Sequence, residues 1–263
     1  MNPAPLKRVV LCADDFAVHE AASEGIARLA HMGRISATSA MVLSPRWGQD
    51  APLLHDLRGT IDVGLHLDWT SEFAVKAGHG LSLGRAMLTS VLGGFNQQSA
   101  RGVIERQLDA FEAEWKAPPD HVDGHQHVQQ FAGIREALVT ALALRYPDRK
   151  PYLRVSRAPA GQADFKSRTI AAMGANAIDK IATYACLTGT AALSGIYDFS
   201  GTAERYGQRG SREVILPFNY ANTDNKYRYL RIREMGGGVD TIVGQDRELA
   251  LNLLPGEARF FSS

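Results

Sequence analysis

One stretch of the sequence is dense in groups that do chemistry: His121-Val122-Asp123-Gly124-His125-Gln126-His127. Three of the eight histidines fall within it, with an aspartate among them. In an extended chain, alternation places His121, Asp123, His125 and His127 on one face and Val122, Gly124 and Gln126 on the other. Neutral imidazoles with a carboxylate are an expected ligand set for a first-row divalent cation. The competing reading is an exposed His-rich loop with no ligand. Two other places carry related groups. Asp14 and Asp15 follow the apolar run Val9-Val10-Leu11-Cys12-Ala13, and His66 lies inside Ile61-Asp62-Val63-Gly64-Leu65-His66-Leu67-Asp68.

A continuous apolar run marks a strand buried on both faces, as in a parallel sheet. The paired carboxylates therefore stand at the carboxyl end of a first strand, where α/β folds and barrels place ligands. One of them could cap the following helix; that leaves the other without a structural task. Gly64, beside His66, lets a neighbouring group come close.

The remaining pattern supplies the scaffold. A helical stripe at residues 20–32 ends at Gly33, and residues 35–43 read as a second strand. Residues 71–98 read as an irregular, glycine-containing excursion over the site. Ile104, Leu108, Phe111 and Trp115 repeat at helical spacing, and Pro118-Pro119 closes that helix. Helices are also expected from Ile134, over residues 165–187 with a weak point at Gly174, and over residues 247–254. Strands are expected at residues 152–155 and at 213–216, the latter stopped by Pro217. Gly236-Gly237-Gly238 lacks the strand-then-helix setting of a phosphate loop and reads as a tight turn. Strand and helix alternation implies a parallel sheet with helices outside it. The expected class is α/β, a single domain over residues 1–263 and a distorted or incomplete (β/α) barrel, with an open doubly wound sheet as the alternative.

The 263 residues carry 29 Lys plus Arg against 28 Asp plus Glu, so no general attraction to nucleic acid or an anionic membrane is expected. No stretch approaches the length of a membrane span. Two cysteines imply no disulfide framework, and the first apolar run is too short for a signal-peptide core. The expected location is cytoplasmic, and a homo-oligomer is compatible with this reading.

Ala13-Asp14-Asp15-Phe16, Gly64-Leu65-His66-Leu67 and the 121–127 stretch, in this order and at these separations, resemble the YdjC-like carbohydrate deacetylases, which include ChbG-type chitooligosaccharide deacetylases. The resemblance is specific from about residue 7 to about residue 134. It implies a distorted (β/α) barrel related to the NodB-type polysaccharide deacetylases and a divalent metal. A set of two histidines and one carboxylate suits zinc, iron or manganese, added waters would also permit magnesium, and zinc or magnesium is the expected ion. The resemblance further implies removal of acetyl groups from N-acetylated sugars, with a small carbohydrate as the partner. Carried over, Asp15, His66 and His125 would be metal ligands and Asp14 the general base. The chain departs from the resemblance in two places. Gln129 stands where a further histidine is common, and the segment Glu213-Val214-Ile215-Leu216-Pro217-Phe218-Asn219 lacks the usual His-Pro pair.

On the residues' own chemistry, His127 is a candidate donor of the leaving-group proton, Asp123 could orient a histidine, and His121 could simply pack. Trp69 and Arg154 are candidates for gripping a sugar, as is Phe131 unless it packs in the core. The same ligand set could instead serve another bond, such as a phosphoester. The two departures would also suit a non-catalytic glycan-binding protein.

Overall fold

The structure, a computed structural model, describes residues 10–157 and 168–193 in full. It also describes the backbone of 165–167 and of four later strands. The elements in order are β1 (Cys12–Phe16), α1 (Glu20–His31), β2 (Ala37–Ala40), α2 (Trp47–Asp50), β3 (Asp62–Leu67), α3 (Glu72–Lys76), α4 (Leu83–Val91) and α5 (Gln97–Trp115). They continue with β4 (His121–Gly124), α6 (Ile134–Arg145), β5 (Tyr152–Leu153), α7 (Phe165–Ala172) and α8 (Ala175–Tyr184). The late strands are β6 (Glu213–Phe218), β7 (Arg228–Met235), β8 (Val239–Gly244) and β9 (Arg247–Leu251).

Strands β1 to β5 form one parallel sheet in the order β1-β2-β3-β4-β5. Leu153 makes one further parallel bridge to Gly189, so the chain after α8 continues the same progression. A doubly wound sheet reverses its strand order at a switch point, whereas a barrel adds strands in sequence. The order seen here is the barrel's. All four residues of β2 and of β4 are buried, as strands covered on both faces must be.

Packing follows the amphipathic helices. Ile104, Leu108, Phe111 and Trp115 on α5 and Ile134, Leu138 and Leu142 on α6 are fully buried with Leu65 and Leu67 of β3. Trp47 stacks on Phe111 at 5.5 Å between ring centroids. On the outer side Arg145 ties α6 to α5, donating to Glu105 at 2.9 Å and to Glu112 at 2.7 Å.

Three expectations are corrected, and a fourth, the weak point at Gly174, is a full break. Residues 71–98 are not irregular: they fold into α3, α4 and the start of α5, and Ser71 caps α3 by accepting from the Phe73 and Ala74 amides. The long helix expected at 165–187 is two, divided at Gly174, whose φ of 139° only glycine adopts readily and whose absent Cβ makes room for the Gln130 carbonyl. Strand β6 runs through Pro217, which is tolerated because β6 is the edge of its sheet, order β6-β7-β8-β9. The helix expected at 247–254 is instead β9, paired antiparallel with β8. Its sequence Arg-Glu-Leu-Ala-Leu also alternates at period two, and sheet pairing decides between the two readings. The three glycines at 236–238 lie outside the described residues, between strands that pair antiparallel with Met235 opposite Val239.

Candidate metal and catalytic site

The carboxyl ends of β1, β3 and β4 bring the expected ligands together. In a regular strand Asp14 and Asp15 would face opposite ways. Here β1 does not stop before them. It continues to Phe16 and bulges: Ala13 pairs with Thr38, but Phe16 pairs with Ala40, so three steps on β1 match two on β2. Asp15 takes a left-handed conformation at φ 62°, as does Ala17 at φ 72°. Such strain persists only when the surroundings hold it. Ser23 and Ser44 do so, the Ser23 hydroxyl accepting from the Ala17 amide at 3.0 Å and the Ser44 hydroxyl donating to the Ala17 carbonyl at 2.6 Å.

The bulge sends the two carboxylates to adjacent partners. Asp15 Oδ1 lies 3.0 Å from His125 Nδ1 and 3.3 Å from His66 Nε2. One ligand atom from each of Asp15, His66 and His125 lies within 4.8 Å of the others. Asp14 receives a two-pronged contact from Arg154, Nη1 to Oδ1 and Nη2 to Oδ2, each 2.6 Å. Arg154 Nη1 is also 2.9 Å from Asp123 Oδ2, close as an ion pair though not aligned as a hydrogen bond.

Behind the ligands, Asp123 stands opposite His66 in the β3–β4 register and accepts from its Nδ1 at 2.7 Å. Ser39 on β2 bridges the two halves, 3.2 Å from His66 Nδ1 and 3.4 Å from Asp14 Oδ1. Burial alone would push His66 down, but Asp123 and Asp15 outweigh it and raise its pKa to about 10. Burial likewise works against Asp15, yet the hydrogen bonds from His125 and His66 hold it well below the usual carboxylate range. Asp123 is held low too, burial being outweighed by Arg154 and His66.

These groups fit a divalent cation on three counts. The cluster holds three carboxylates, Asp14, Asp15 and Asp123, and one guanidinium, Arg154, which pairs with Asp14 and Asp123; two negative charges are unmatched if both imidazoles are neutral. Ligand bonds of about 2.0–2.1 Å place neighbouring ligand atoms about 2.9–3.4 Å apart, and the two contacts to Asp15 Oδ1 measure 3.0 and 3.3 Å. His66 also gives its second ring nitrogen to a carboxylate, the usual arrangement behind a metal-binding histidine. A second group, Cys12, His121 and Asp123, has ligand atoms within 4.8 Å of one another. Its carboxylate is already shared by Arg154 and His66.

The single face expected for His121, Asp123, His125 and His127 does not form. Strand β4 ends at Gly124, and residues 125–130 make a 3-10 turn in which Gln126 (φ 54°) and His127 (φ 64°) are left-handed. His121 is fully buried, stacked on Tyr152 at 5.1 Å, and its ring occupies the space a Cβ on Gly64 would need, 2.4 Å away. The close approach that Gly64 permits is therefore to His121. Burial pushes the His121 pKa down to about 4. His127 turns the other way, its Nδ1 2.9 Å from Ser156 Oγ. Burial, then Arg154, lower its pKa to about 4.

The three residues expected to grip a sugar are otherwise engaged. Trp69 is 3% exposed, edge-on to His79 and Phe95, and Phe131 is buried in the core. Arg154 is 9% exposed and committed to Asp14 and Asp123. Ser39, Ser156 and the anchoring role of Gln129 were not expected. A serine inside the wholly buried ATSA strand was the one available signal for Ser39.

Among known proteins, the family model for YdjC-like proteins matches residues 8–231. The chain belongs to this family. It is 28% identical to the mouse (Mus musculus) carbohydrate deacetylase over 150 residues, 52% of this chain and 48% of that protein. It is 28% identical to the human (Homo sapiens) carbohydrate deacetylase over 156 residues, 52% of this chain and 46% of that one. The chain thus aligns with about half the length of these curated relatives. A solved structure of a protein named for cellobiose-phosphate cleavage, from Enterococcus faecalis V583, superposes with a TM-score of 0.52 at 20% identity, covering 77% of this chain and 74% of that one. That likeness shows the fold. Among the described residues no helix is long and apolar enough to cross a membrane.

Proposed function

We propose that this chain is a metal-dependent carbohydrate deacetylase, one barrel-like unit that hydrolyses the acetamide of an N-acetylated sugar or short oligosaccharide. The observation that carries the reading is the convergence of Asp15, His66 and His125 on one point, in a setting that leaves two negative charges unmatched when both imidazoles are neutral, as ligands are. The carbohydrate deacetylases of mouse and human, relatives by sequence, support the reaction class. A cytoplasmic location goes with two cysteines that are both free.

Asp15, His66 and His125 would hold the cation, and two imidazoles in the set favour zinc over magnesium. When bound, a divalent cation polarises the acyl oxygen and makes water a better nucleophile. Asp123 fixes the His66 ring through Nδ1 and so aims Nε2 at Asp15. Arg154 fixes Asp14 at two points, leaving the half-exposed carboxylate able to take a proton from the attacking water. Arg154 is therefore a positioning residue, which replaces the expected contact to substrate. His127, held on Ser156 through Nδ1, would be a hydrogen-bond donor to the substrate.

The test is acetate release from N-acetylated chitooligosaccharides by the wild-type chain and by Asp14→Asn. Release that drops at least a hundredfold in the variant supports the reading. Glycan binding without release by wild type under any divalent metal would replace it with the non-catalytic alternative.

A further inference from the structure

Gln129 is almost fully enclosed, and the space over Gly124 belongs to it: a Cβ there would meet Gln129 Oε1 at 2.6 Å. Its Nε2 donates to the Arg154 carbonyl at 2.9 Å and to the Ser156 hydroxyl oxygen at 3.1 Å. A carbonyl only accepts, so the Arg154 contact fixes which end of the amide is nitrogen. Both amide hydrogens are thereby spent. Ser156, itself 1% exposed, accepts from Gln129 and retains one hydrogen to give. The acceptor in reach is His127 Nδ1 at 2.9 Å. With Nδ1 accepting, the ring hydrogen is on Nε2. That nitrogen has no hydrogen-bond partner among the described residues and is not sealed from solvent. The left-handed backbone at Gln126 and His127 turns the ring out of the β4 direction to meet Ser156.

We propose that Gln129 and Ser156 are positioning residues that hold His127 as the Nε2–H tautomer, so that it offers a hydrogen-bond donor to the acyl oxygen of the substrate. This rests on the deacetylase reading and assigns the site's donor. A neutral ring keeps its Nε2 proton, so it suits an oxygen that gains negative charge rather than a nitrogen that must be protonated. The proton balance then runs through Asp14. Water oxygen bonds to the acyl carbon as one water proton passes to the Asp14 carboxylate. The C–N bond breaks as that proton passes from Asp14 to the amine nitrogen, giving the amino sugar and acetic acid and returning Asp14 to its ionised form. The second water proton, still on the acid, then passes to the amine or to solvent and leaves acetate. No histidine late in the chain is required.

The test is nitrogen-15 NMR of the full chain labelled at histidine, with His127 assigned by comparison with His127→Gln. The expected spectrum has Nδ1 unprotonated and Nε2 protonated in wild type. That pattern should persist in Ser156→Thr, weaken in Gln129→Met and be lost in Ser156→Ala. On N-acetylated chitooligosaccharides, Ser156→Ala should lower kcat about tenfold with KM little changed, and Ser156→Thr should restore it. A wild-type His127 protonated at Nδ1, or a Ser156→Ala chain with unchanged spectrum, overturns the relay. A changed spectrum with unchanged kcat overturns the donor role. If Ser156→Ala does not fold, Gln129→Met carries the same comparison. The spectrum needs no turnover, so a chain that releases no acetate sinks the deacetylase reading and leaves the tautomer result standing.

Discussion

His66 and Asp123 stand directly opposite one another on neighbouring parallel strands, and their side chains meet at 2.7 Å between Nδ1 and Oδ1. The pair is buried, and it sets which ring nitrogen of His66 is free to face Asp15. In Asp123→Asn the amide no longer enforces that orientation, and Arg154 loses one of its two carboxylates. Zinc affinity should fall about 10- to 100-fold, read by competition with a chelator of known affinity. Unchanged affinity would mean that the cation is held elsewhere.

Arg154 is the counter-charge for Asp14 and Asp123 at once. Arg154→Met removes the guanidinium that Asp14 and the buried Asp123 share, leaving Asp123 with His66 alone. The loss should be about 3 kcal/mol of stability in metal-free protein, measured by urea unfolding. Arg154→Lys should recover only part of it, because an ammonium cannot make the two-pronged contact to Asp14.

Gly64 and His121 share one volume. Gly64→Ala places a methyl 2.4 Å from the His121 ring, which Tyr152 backs from the other side. The ring cannot retreat, so melting should occur at lower temperature, with a cost of about 1–3 kcal/mol. A variant as stable as wild type would show that His121 has another place to go.

Acid sensitivity follows from the same residue. Burial lowers His121 to about 4 in the folded chain, against about 6.5 when unfolded. Between these values the unfolded chain binds more protons, so folding stability is fully present above about pH 6.5 and is lost as pH falls toward 4. This single group accounts for up to about 3 kcal/mol of that loss. His127, also lowered to about 4, adds to it in the same window. His121→Phe, which keeps a ring against Tyr152, should flatten the dependence of unfolding free energy on pH between 4.5 and 6.5. An equally steep profile would contradict the assignment.

Much of this was legible in the sequence, for identifiable reasons. The apolar runs of β1 and β3 and the 4-3-4 spacing on α5 are strong periodic signals, and they fix the α/β class and the strand ends that carry Asp15, His66 and His125. What alternation could not convey was where strands stop. Nothing in His-Val-Asp-Gly-His-Gln-His announces that the strand ends at Gly124, so His125 and His127 were assigned a shared face that the left-handed turn dissolves. The bulge that lets two consecutive aspartates serve two partners is equally silent. The contacts of Arg154 to Asp14 and Asp123 are silent in the sequence as well, because they join positions 140 and 31 residues apart. The antiparallel sheet of β6 to β9 shows in the sequence only at β6, read as a strand; the Arg-Glu-Leu-Ala-Leu of β9 suits either period until it pairs with β8.

The central claim is that a cation held by Asp15, His66 and His125 is needed for acetate release. The most direct measurement is back-titration: strip the chain with chelator, add zinc in increments, and follow acetate released from N-acetylated chitooligosaccharide together with bound metal. The account predicts that activity returns linearly to a break at one equivalent of metal, and that His125→Ala neither binds that equivalent nor recovers activity. Full turnover by the stripped chain, or by Asp15→Ala, would contradict it.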